Sequence, residues 1–290
     1  ILPRHGLRRL KTKLNEEIIK SRLVGRGDKQ SYEDFDYYDE ISSPTGILSS
    51  LYATLVNSAA KGWKNLVFDI GQARLNAELT GEKVHIKLDR TLSRLSSQVD
   101  KYSEYAGKYD QFISEKDDEL GEGTIIVELD KALYGCLQSA RRWRDTLKEV
   151  LEAMTYEPSK RDPCVFRKYN NEGKVIASVF MHVDDGHFSC ENQEVYDEFV
   201  KNLNKGSPHG VAYSEKDADH FEYLGMIIDF SVKGKCHLTT KKYIEAIMDE
   251  WKIQGETQYP HSKDLFKVNP ATKLLNEQQH ESLHRCVGKL

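Results

Sequence analysis

An apolar run that ends in two adjacent carboxylates is the feature that most restricts how this chain can fold. Residues 175–183 (VIASVFMHV) are rich in β-branched and aromatic side chains, which is typical of a buried strand. Asp184 and Asp185 follow, and Asp185-Gly186 is a strong signal for a hairpin turn before a returning strand at 187–190. The sequence therefore predicts a β-hairpin with both aspartates at its tip. A polar turn without further function is the alternative, because Asp and Gly favour turns for local reasons.

A second carboxylate has the same setting. Asp69 ends the β-rich run at 64–70 (KNLVFDI), just before a turn into a short helical segment. Strand ends that are distant in sequence can converge in one sheet, so Asp69 is expected near Asp184. Carboxylate oxygens suit Mg²⁺, and two such ions can hold both the attacking and the leaving oxygen of a phosphoryl transfer. The pattern alone fits several unrelated enzymes.

Three amphipathic helices are predicted around these strands. The first runs to residue 62, with Ser43 as its cap and Pro44 in its first turn. The second covers 138–156 and carries Trp143 on its apolar stripe, which indicates a core residue rather than a stacking platform. The third covers 241–251. Helices alternating with hairpins predict an α+β fold whose sheet is covered on one face.

Composition excludes several classes of protein. The chain has 290 residues, 39% of them hydrophobic and 30% charged, which describes an ordinary globular protein. It contains no apolar stretch near the roughly 20 residues that a membrane span needs, and no secretory signal is predicted. Its five cysteines are widely spaced, which argues against a disulfide framework and for a reducing compartment. The polar segment 90–122 predicts a surface insertion.

Charge is unevenly distributed along the chain. The formal net charge is −4, but residues 1–30 hold nine Lys and Arg against three acidic residues. A second basic cluster lies at 141–144 (RRWR). This asymmetry permits a polyanion to bind one face of the protein, although a solvated charged surface would look the same.

The order of several short blocks resembles the reverse transcriptase of Ty1/copia-type retrotransposons. Residues 129–143 (LDKALYGCLQSARRW) are similar to the family's K-A-L-Y-G-L-K-Q-S-P-R-x-W, and 182–185 (HVDD) stand where many members have Y-V-D-D. Six further blocks follow the family's order: KSRLVGRGDKQ (20–30), ISSPTGILSSLYATLVNSAAKGW (41–63), VFDIGQARLNAEL (67–79), DPCVF (162–166), YLGM (223–226) and KKYIEAIM (241–248). Each block is weak alone, but together they are highly specific and extend from about residue 9 to the end.

The resemblance implies roles for individual residues. Asp69, Asp184 and Asp185 would be catalytic and would bind two Mg²⁺ ions, with Mn²⁺ as an alternative. Residues that match blocks lining the nucleotide and template pocket are Lys20, Arg22, Arg74, Tyr134, Gly135, Gln138, Ser139 and His182. Lys20 and Arg22 among them match positions that hold the incoming triphosphate. The hairpin that positions the primer end is matched by Leu224 and Gly225.

Three positions depart from the family's pattern. Arg74 stands where an aromatic ring usually excludes a ribose 2′-hydroxyl, which predicts either relaxed sugar selection or weak activity. His182 replaces a tyrosine, and it is either a spacer near the primer end or a third metal ligand. Gly186 replaces a larger apolar residue. A decaying copy of an element could accumulate such changes.

The family's fold is a polymerase right hand. The resemblance implies that residues 1–236 form fingers and palm, an antiparallel sheet with helices on one face, and that 237–290 form the start of a thumb and of a connecting segment, truncated. The chain is then a fragment of a longer polyprotein whose RNase H and integrase segments lie elsewhere. By the same resemblance the protein would work in the cytoplasm, inside the virus-like particle of the element.

The function that follows is RNA-directed DNA polymerase. Its substrates would be an RNA template, a DNA primer and deoxynucleoside triphosphates, with no membrane involved. The alternative is a catalytically impaired remnant that still binds nucleic acid, which Arg74 favours and the intact set of three aspartates opposes. A two-metal nuclease or phosphatase is a third hypothesis, but it explains none of the ordered blocks.

Overall fold

The computed structural model describes residues 4–13, 16–31, 41–80, 83–99, 110–113, 123–214, 219–255, 258, 267 and 270–289. The chain divides into two compact units, one of Ile1–Phe221 with Phe230–Cys236 and one of Glu222–Asp229 with His237–Leu290. Helices and antiparallel strands both contribute, so the expected mixed helix-and-sheet class is confirmed.

Thirteen strands and six α-helices occur along the described residues. The strands are β1 (Arg4–Lys13), β2 (Glu16–Gly25), β3 (Lys64–Ile70), β4 (His85–Leu88), β5 (Ile125–Glu128), β6 (Glu157–Pro158), β7 (Val165–Tyr169), β8 (Val175–His182), β9 (Asp185–Cys190), β10 (Val211–Tyr213), β11 (His220–Tyr223), β12 (Met226–Asp229) and β13 (His237–Thr239). The helices are α1 (Leu48–Lys61), α2 (Arg90–Val99), α3 (Ser139–Ala153), α4 (Gln193–Lys205), α5 (Lys241–Glu250) and α6 (Glu277–Lys289).

A six-stranded sheet in the order β10-β3-β9-β8-β7-β6 forms the centre of the first unit. Every neighbouring pair in it is antiparallel. The pairs β1–β2 and β4–β5 form two small sheets, and β11-β12-β13 form a three-stranded sheet. The sheet strands β3, β8 and β9 converge at one end, and this end carries the predicted carboxylates.

Helices cover both faces of the six-stranded sheet, so the prediction of helices on one face only is wrong. On one face, Phe188 of β9 stacks on Phe199 of α4 with ring centroids 3.9 Å apart, within a core that also includes α3. On the other face, Ser58 of α1 donates a hydrogen bond to Asn65 Oδ1, which also contacts His187 Nε2. The physical reason lies in β8, where all of 177–181 is buried, as in strands covered on both sides.

Helix α1 begins four residues later than its sequence predicts. Ser43 and Pro44 precede the helix, which has Ile47 at its N-cap position without a side-chain cap. The Ile47 backbone N–H instead donates to Asp162 Oδ2 at 3.2 Å, a carboxylate 115 residues further along the chain. A distant acidic group therefore takes the place that the local capping signal assigned to Ser43.

Gly186 of β9 lies directly opposite Phe68 of β3. A Cβ atom at position 186 would come within 2.1 Å of the Phe68 ring. The ring thus occupies the space that a side chain at position 186 would need. Gly186 and Phe68 are therefore complementary in volume.

This complementarity makes a testable prediction about stability. We expect Gly186→Ala to lower the free energy of unfolding by about 1–3 kcal/mol, because the packed ring cannot move aside without strain. Phe68→Leu should recover part of that loss in the double variant, although it is destabilising alone. Urea denaturation of the two single variants and the double variant measures the coupling. Simple additivity of the two changes would contradict the proposed contact.

The predicted insertion 90–122 begins with α2, and its residues 100–109 and 114–122 lie outside the described residues. None of the helices described in the structure is long and apolar enough to cross a membrane. All five cysteines are among the described residues and form no disulfide.

Candidate active site

The β8–β9 hairpin turns at Val183-Asp184, and not at the predicted Asp185-Gly186. His182 and Asp185 are cross-strand partners, so Asp185 is the first residue of β9. Val183 has φ of +63°, a conformation that is costly for a β-branched residue. The register is decided by the opposing strand, because Gly186 must lie under the Phe68 ring. The local Asp-Gly turn signal therefore gives way to packing between β9 and β3.

Strand β3 brings the third aspartate to this tip. Asp69 and Asp185 are directly opposed in the antiparallel β3–β9 pair, which puts their side chains on one face of the sheet. The Asp184 carbonyl accepts a hydrogen bond from the Ile70 N–H at 3.2 Å and ties the turn to the end of β3. Asp69 is exposed, while Asp184 and Asp185 are half-buried. The structure therefore brings together all three predicted carboxylates.

The surroundings of Asp185 disfavour its negative charge. Burial raises the pKa of Asp185 above its ordinary value, and the charges of Asp69 and Asp184 raise it further. His182, its cross-strand partner, acts in the opposite direction and lowers the pKa of Asp185. A site that resists its own ionisation in this way is stabilised by a cation placed among the oxygens.

Trp143 of α3 is bonded to the strained tip of the β8–β9 hairpin. Its side chain is 4% exposed and belongs to the core, as its position on the apolar stripe predicts. The indole N–H also donates a hydrogen bond to the Val183 carbonyl at 2.8 Å. This bond fixes the turn that carries Asp184, a function that helical periodicity gives no sign of.

Two arginines and a tyrosine form a cluster beside the carboxylates. The guanidinium carbons of Arg74 and Arg22 lie 4.9 and 5.6 Å from the centroid of the Tyr134 ring, within the range of cation–π contacts. Burial raises the pKa of Tyr134, the charge of Asp184 raises it further, and a hydrogen bond with the Arg74 backbone lowers it. The charge of Asp184 therefore affects the Tyr134 hydroxyl. Because both arginines contact the Tyr134 ring, they also lie near the candidate catalytic centre.

Close backbone contact joins the end of β2 to the turn after Tyr134. The Gly25 N–H donates to the Tyr134 carbonyl at 2.7 Å, and the Gly27 N–H donates to the Gly135 carbonyl at 3.0 Å. Gly135 has φ of +91°, and a Cβ there would lie 2.1 Å from the Gly25 oxygen. Only glycine fits such an approach. This contact positions Arg22 over Tyr134.

Gln30 strengthens the same junction and was not singled out from the sequence. Its side-chain oxygen accepts from the Leu137 N–H at 2.8 Å, and its amide donates to Gln138 Oε1 at 3.1 Å. The only sequence signal is its place as the last residue of the block 20–30. Gln138 is 5% exposed and Ser139 is fully buried, with the Ser139 hydroxyl donating to the Leu133 carbonyl at 2.7 Å. These contacts support the Tyr134 turn from inside.

Lys20, Leu224 and Gly225 are the remaining predicted residues. Lys20 is in β2 opposite Arg9, and its side chain lies outside the described residues. Leu224 and Gly225 form the turn between β11 and β12, with φ of +49° and +76°. Their assignment to the primer end stays a prediction.

The donor set of the tip fits a hard divalent cation. Asp69, Asp184 and Asp185 offer only carboxylate oxygens, which are the ligands that Mg²⁺ prefers. In the part of the chain that the structure describes, no group of three or more His, Cys, Asp or Glu side chains is arranged as a ready metal site. Burial and the neighbouring charges of Asp69 and Asp184 raise the pKa of Asp185, and a cation bound among these oxygens would favour its ionised form.

A family model matches just over half of the chain. It is described as reverse transcriptase (RNA-dependent DNA polymerase) and covers residues 112–261, which include Tyr134, Asp184 and Asp185. The chain is also similar to the retrovirus-related Pol polyprotein from transposon TNT 1-94 of Nicotiana tabacum. The two are 25% identical over 238 residues, which cover 81% of this chain and 15% of the relative. This chain therefore spans less than a fifth of that polyprotein.

Among solved structures, apo telomerase from Candida tropicalis, truncated from its C-terminal domain, shows a distant similarity. The match covers 81% of this chain and 55% of the telomerase chain at 11% identity. The TM-score is 0.29, a value too low to indicate a shared fold.

Proposed function

Because the chain belongs to the reverse transcriptase (RNA-dependent DNA polymerase) family, we propose that it extends a DNA primer on an RNA template, as the polymerase domain of a copia-type retrotransposon polyprotein. One observation carries the proposal: Asp69 and Asp185 are register partners with Asp184 in the adjoining turn, beside two arginines that stack on Tyr134. Positioning and charge neutralisation are what phosphoryl transfer requires of a protein.

The proposed architecture is the right hand of polymerases. In it the six-stranded sheet is the palm, and the β1–β2 hairpin belongs to the fingers, so that residues 1–236 form fingers and palm. Residues 237–290 would begin the thumb and the connecting segment. The backbone contacts of Gly25 and Gly27 with the Tyr134–Gly135 turn support this division, because they attach the hairpin to the palm beside the carboxylates.

Asp69, Asp184 and Asp185 would hold two Mg²⁺ ions, or Mn²⁺ in their place. Such ions lower the charge repulsion between primer, triphosphate and protein and favour the attacking alkoxide. The carboxylates fix the positions of the cations, and the Trp143–Val183 hydrogen bond keeps the turn that carries Asp184 in its strained conformation. His182 would remain beside Asp185 as a spacer near the primer end, with a role as third ligand as the alternative.

Arg22 would bind the triphosphate. Its guanidinium is exposed and lies over the ring of Tyr134, whose pKa is raised by burial and by the charge of Asp184. A planar guanidinium matches phosphate oxygens with two hydrogen bonds. Lys20, two residues earlier in β2, would add a second cation.

Loss of Arg22 should affect the nucleotide more than the template. We expect Arg22→Ala to raise the KM for the deoxynucleotide about tenfold, roughly 1.4 kcal/mol of binding free energy, with little change in template affinity. Arg26→Ala is the matched control, because Arg26 already pairs with Asp28 at 2.6 Å. Equal losses of nucleotide and template binding, measured at fixed salt, would contradict the assigned role.

Primer extension tests the proposed activity directly. The chain should add deoxynucleotides to an oligo-dT primer on poly-A only when Mg²⁺ or Mn²⁺ is present. The second candidate function, a nucleic-acid-binding remnant, is favoured by Arg74 at the position of an aromatic gate. It predicts binding of the same hybrid without extension in either metal.

The partners follow from the same proposal. They are an RNA template, a DNA primer, deoxynucleoside triphosphates, and RNase H and integrase segments elsewhere in a parent polyprotein. The proposed place of action is the cytoplasm, inside the virus-like particle of the element.

A further inference from the structure

A polar cavity lies between α1 and the β6–β7–β8 edge of the central sheet. It encloses about 350 Å³. Three cationic side chains line it, Lys61, Arg161 and Arg167, together with the hydroxyls of Ser49 and Ser50 in the first turn of α1. Asp162, the acidic residue in its lining, is 3% exposed and accepts hydrogen bonds from the backbone of Ile47 and Cys164. The cavity therefore has an excess of positive charge and of hydroxyl donors.

One buried hydroxyl in the lining of this cavity has no hydrogen-bond partner among the described residues. Ser178 of β8 lines it and is 4% exposed, yet its Oγ makes no hydrogen bond to any residue that the structure describes. Buried hydroxyls normally find a partner, since an unpaired one destabilises the fold. An acceptor bound in the cavity would supply the missing bond.

The arginines are also available to a ligand. Among the described residues, no carboxylate forms an ion pair with Arg161 or Arg167, and both side chains are exposed. Glu157 faces Arg167 across β6–β7 without pairing to it. Arg167 is in turn the cross-strand partner of Ser178, so one cation and the unpaired hydroxyl are neighbours on the sheet. Arginine forks and serine hydroxyls together are donors suited to a phosphate group.

The cavity is connected to the candidate active site through β8. Ser178 lies on the same face of the strand as His182, the cross-strand partner of Asp185. Four residues of strand separate them, roughly 13 Å at 3.3 Å per residue. Successive phosphates of one nucleic-acid strand advance about 3.4 Å along a duplex axis, so for a duplex whose axis runs along β8 this distance corresponds to about four nucleotides.

We propose that this cavity is a binding subsite for a backbone phosphate of the nucleic acid, about four nucleotides from the primer end, held by Arg161, Arg167 and Ser178. The inference rests on the proposed function. It adds a contact on the sheet face that also carries Asp185, roughly 13 Å along β8 from His182. Its role is to fix the register of the hybrid and not to take part in the chemistry.

The salt dependence of binding tests the subsite without catalysis. Affinity for an RNA–DNA primer–template is measured by fluorescence anisotropy over a series of NaCl concentrations, without divalent metal. The variant Arg161→Gln with Arg167→Gln should lower the slope of log K against log salt by about one to two and weaken binding about tenfold near physiological salt. Lys201→Gln, on α4 at the opposite face, is the matched control and should leave the slope unchanged. An unchanged slope in the double variant, or an equal fall in the control, overturns the subsite.

Two further measurements sharpen the test. Ser178→Ala should weaken binding several-fold while it leaves the melting temperature of the unbound protein unchanged or higher, because it removes an unpaired buried hydroxyl. Two shortened substrates are then compared, one with a duplex and the other with a template overhang of fewer than about four nucleotides. In one of them, wild type and the double arginine variant should bind with equal affinity, because that substrate no longer reaches the subsite. A difference that persists in both shortened substrates overturns the proposal. Primer extension by the wild-type chain is measured independently of these binding assays. Failure of the polymerase activity and failure of the subsite are therefore distinguishable.

Discussion

Replacing Asp185 with Asn is expected to abolish primer extension and, in the absence of divalent metal, to stabilise the protein. The loss of activity should be at least a thousandfold, about 4 kcal/mol of transition-state stabilisation, because a metal-holding carboxylate is removed. The gain in stability follows from the raised pKa of Asp185, which burial and the charges of Asp69 and Asp184 produce. An ionised Asp185 therefore costs stability at neutral pH, and Asn does not ionise.

The sign of the pH dependence follows from linkage. Because the pKa of Asp185 is higher in the folded than in the unfolded protein, the folded state binds the proton more tightly. The free energy of unfolding of metal-free wild type should rise as the pH falls from neutral through this raised pKa toward 3.8, and Asp185→Asn should lose that increment. Mg²⁺ should stabilise wild type and have less effect on the variant.

Thermal unfolding with and without Mg²⁺ at several pH values measures these effects. Asp197→Asn is a suitable control, because Asp197 is exposed on α4 and its hydrogen bond from Gln193 is one that Asn can also accept. A metal-free Asp185→Asn protein that melts below wild type at neutral pH would show that the three carboxylates do not repel one another as described.

The positions of the three aspartates at strand ends could be predicted from the sequence because strand ends depend on local patterns. Strand β8 is an apolar, β-branched run, and Asp69 ends another such run, so both strand ends could be read without any knowledge of their neighbours. The turn position could not be read in this way. It depends on the Phe68 ring of β3, which leaves room only for glycine at position 186.

Contacts between distant segments also explain the other errors. Ser43 has the chemistry of a helix cap, but Asp162 reaches the Ile47 N–H from beyond β6, and α1 begins at Leu48. The alternation of elements indicated helices on one face because a single sequence carries no direct record of which face each helix covers. The near-continuous apolar run of β8 was the available signal that both faces are covered, and residues 177–181 of that strand are all buried.

Arg74 shows the same limit at the site itself. The sequence assigned the arginine to the gate position and predicted either relaxed sugar selection or weak activity. In the structure its guanidinium lies 4.9 Å from the Tyr134 ring centroid, and its Nε is buried with no hydrogen-bond partner among the described residues. The side chain also lines a cavity of about 190 Å³ together with Trp143 and Val183. Arg74 therefore packs on Tyr134 and leaves adjoining space unfilled.

Replacing Arg74 with Phe is expected to increase selection against ribonucleotides about tenfold. A planar ring under the sugar rejects the 2′-hydroxyl by shape, whereas the flexible arginine, held on Tyr134 by a cation–π contact, leaves room beside it. Tenfold in selectivity corresponds to only about 1.4 kcal/mol of transition-state free energy, which one steric contact can supply. Single-nucleotide incorporation kinetics with matched ribo- and deoxyribonucleotides measure the ratio of kcat/KM values for the two sugars.

Arg74→Lys separates the steric effect from the charge. Lysine keeps the positive charge but lacks the planar group, so its sugar selectivity should stay near that of wild type while that of Arg74→Phe rises. If the pocket instead depends on the arginine for its shape, both variants lose activity toward both sugars and the ratio does not change. An unchanged ratio in an active Arg74→Phe enzyme would mean that position 74 does not contact the sugar, and the gate would then have to be sought among the other residues around Tyr134.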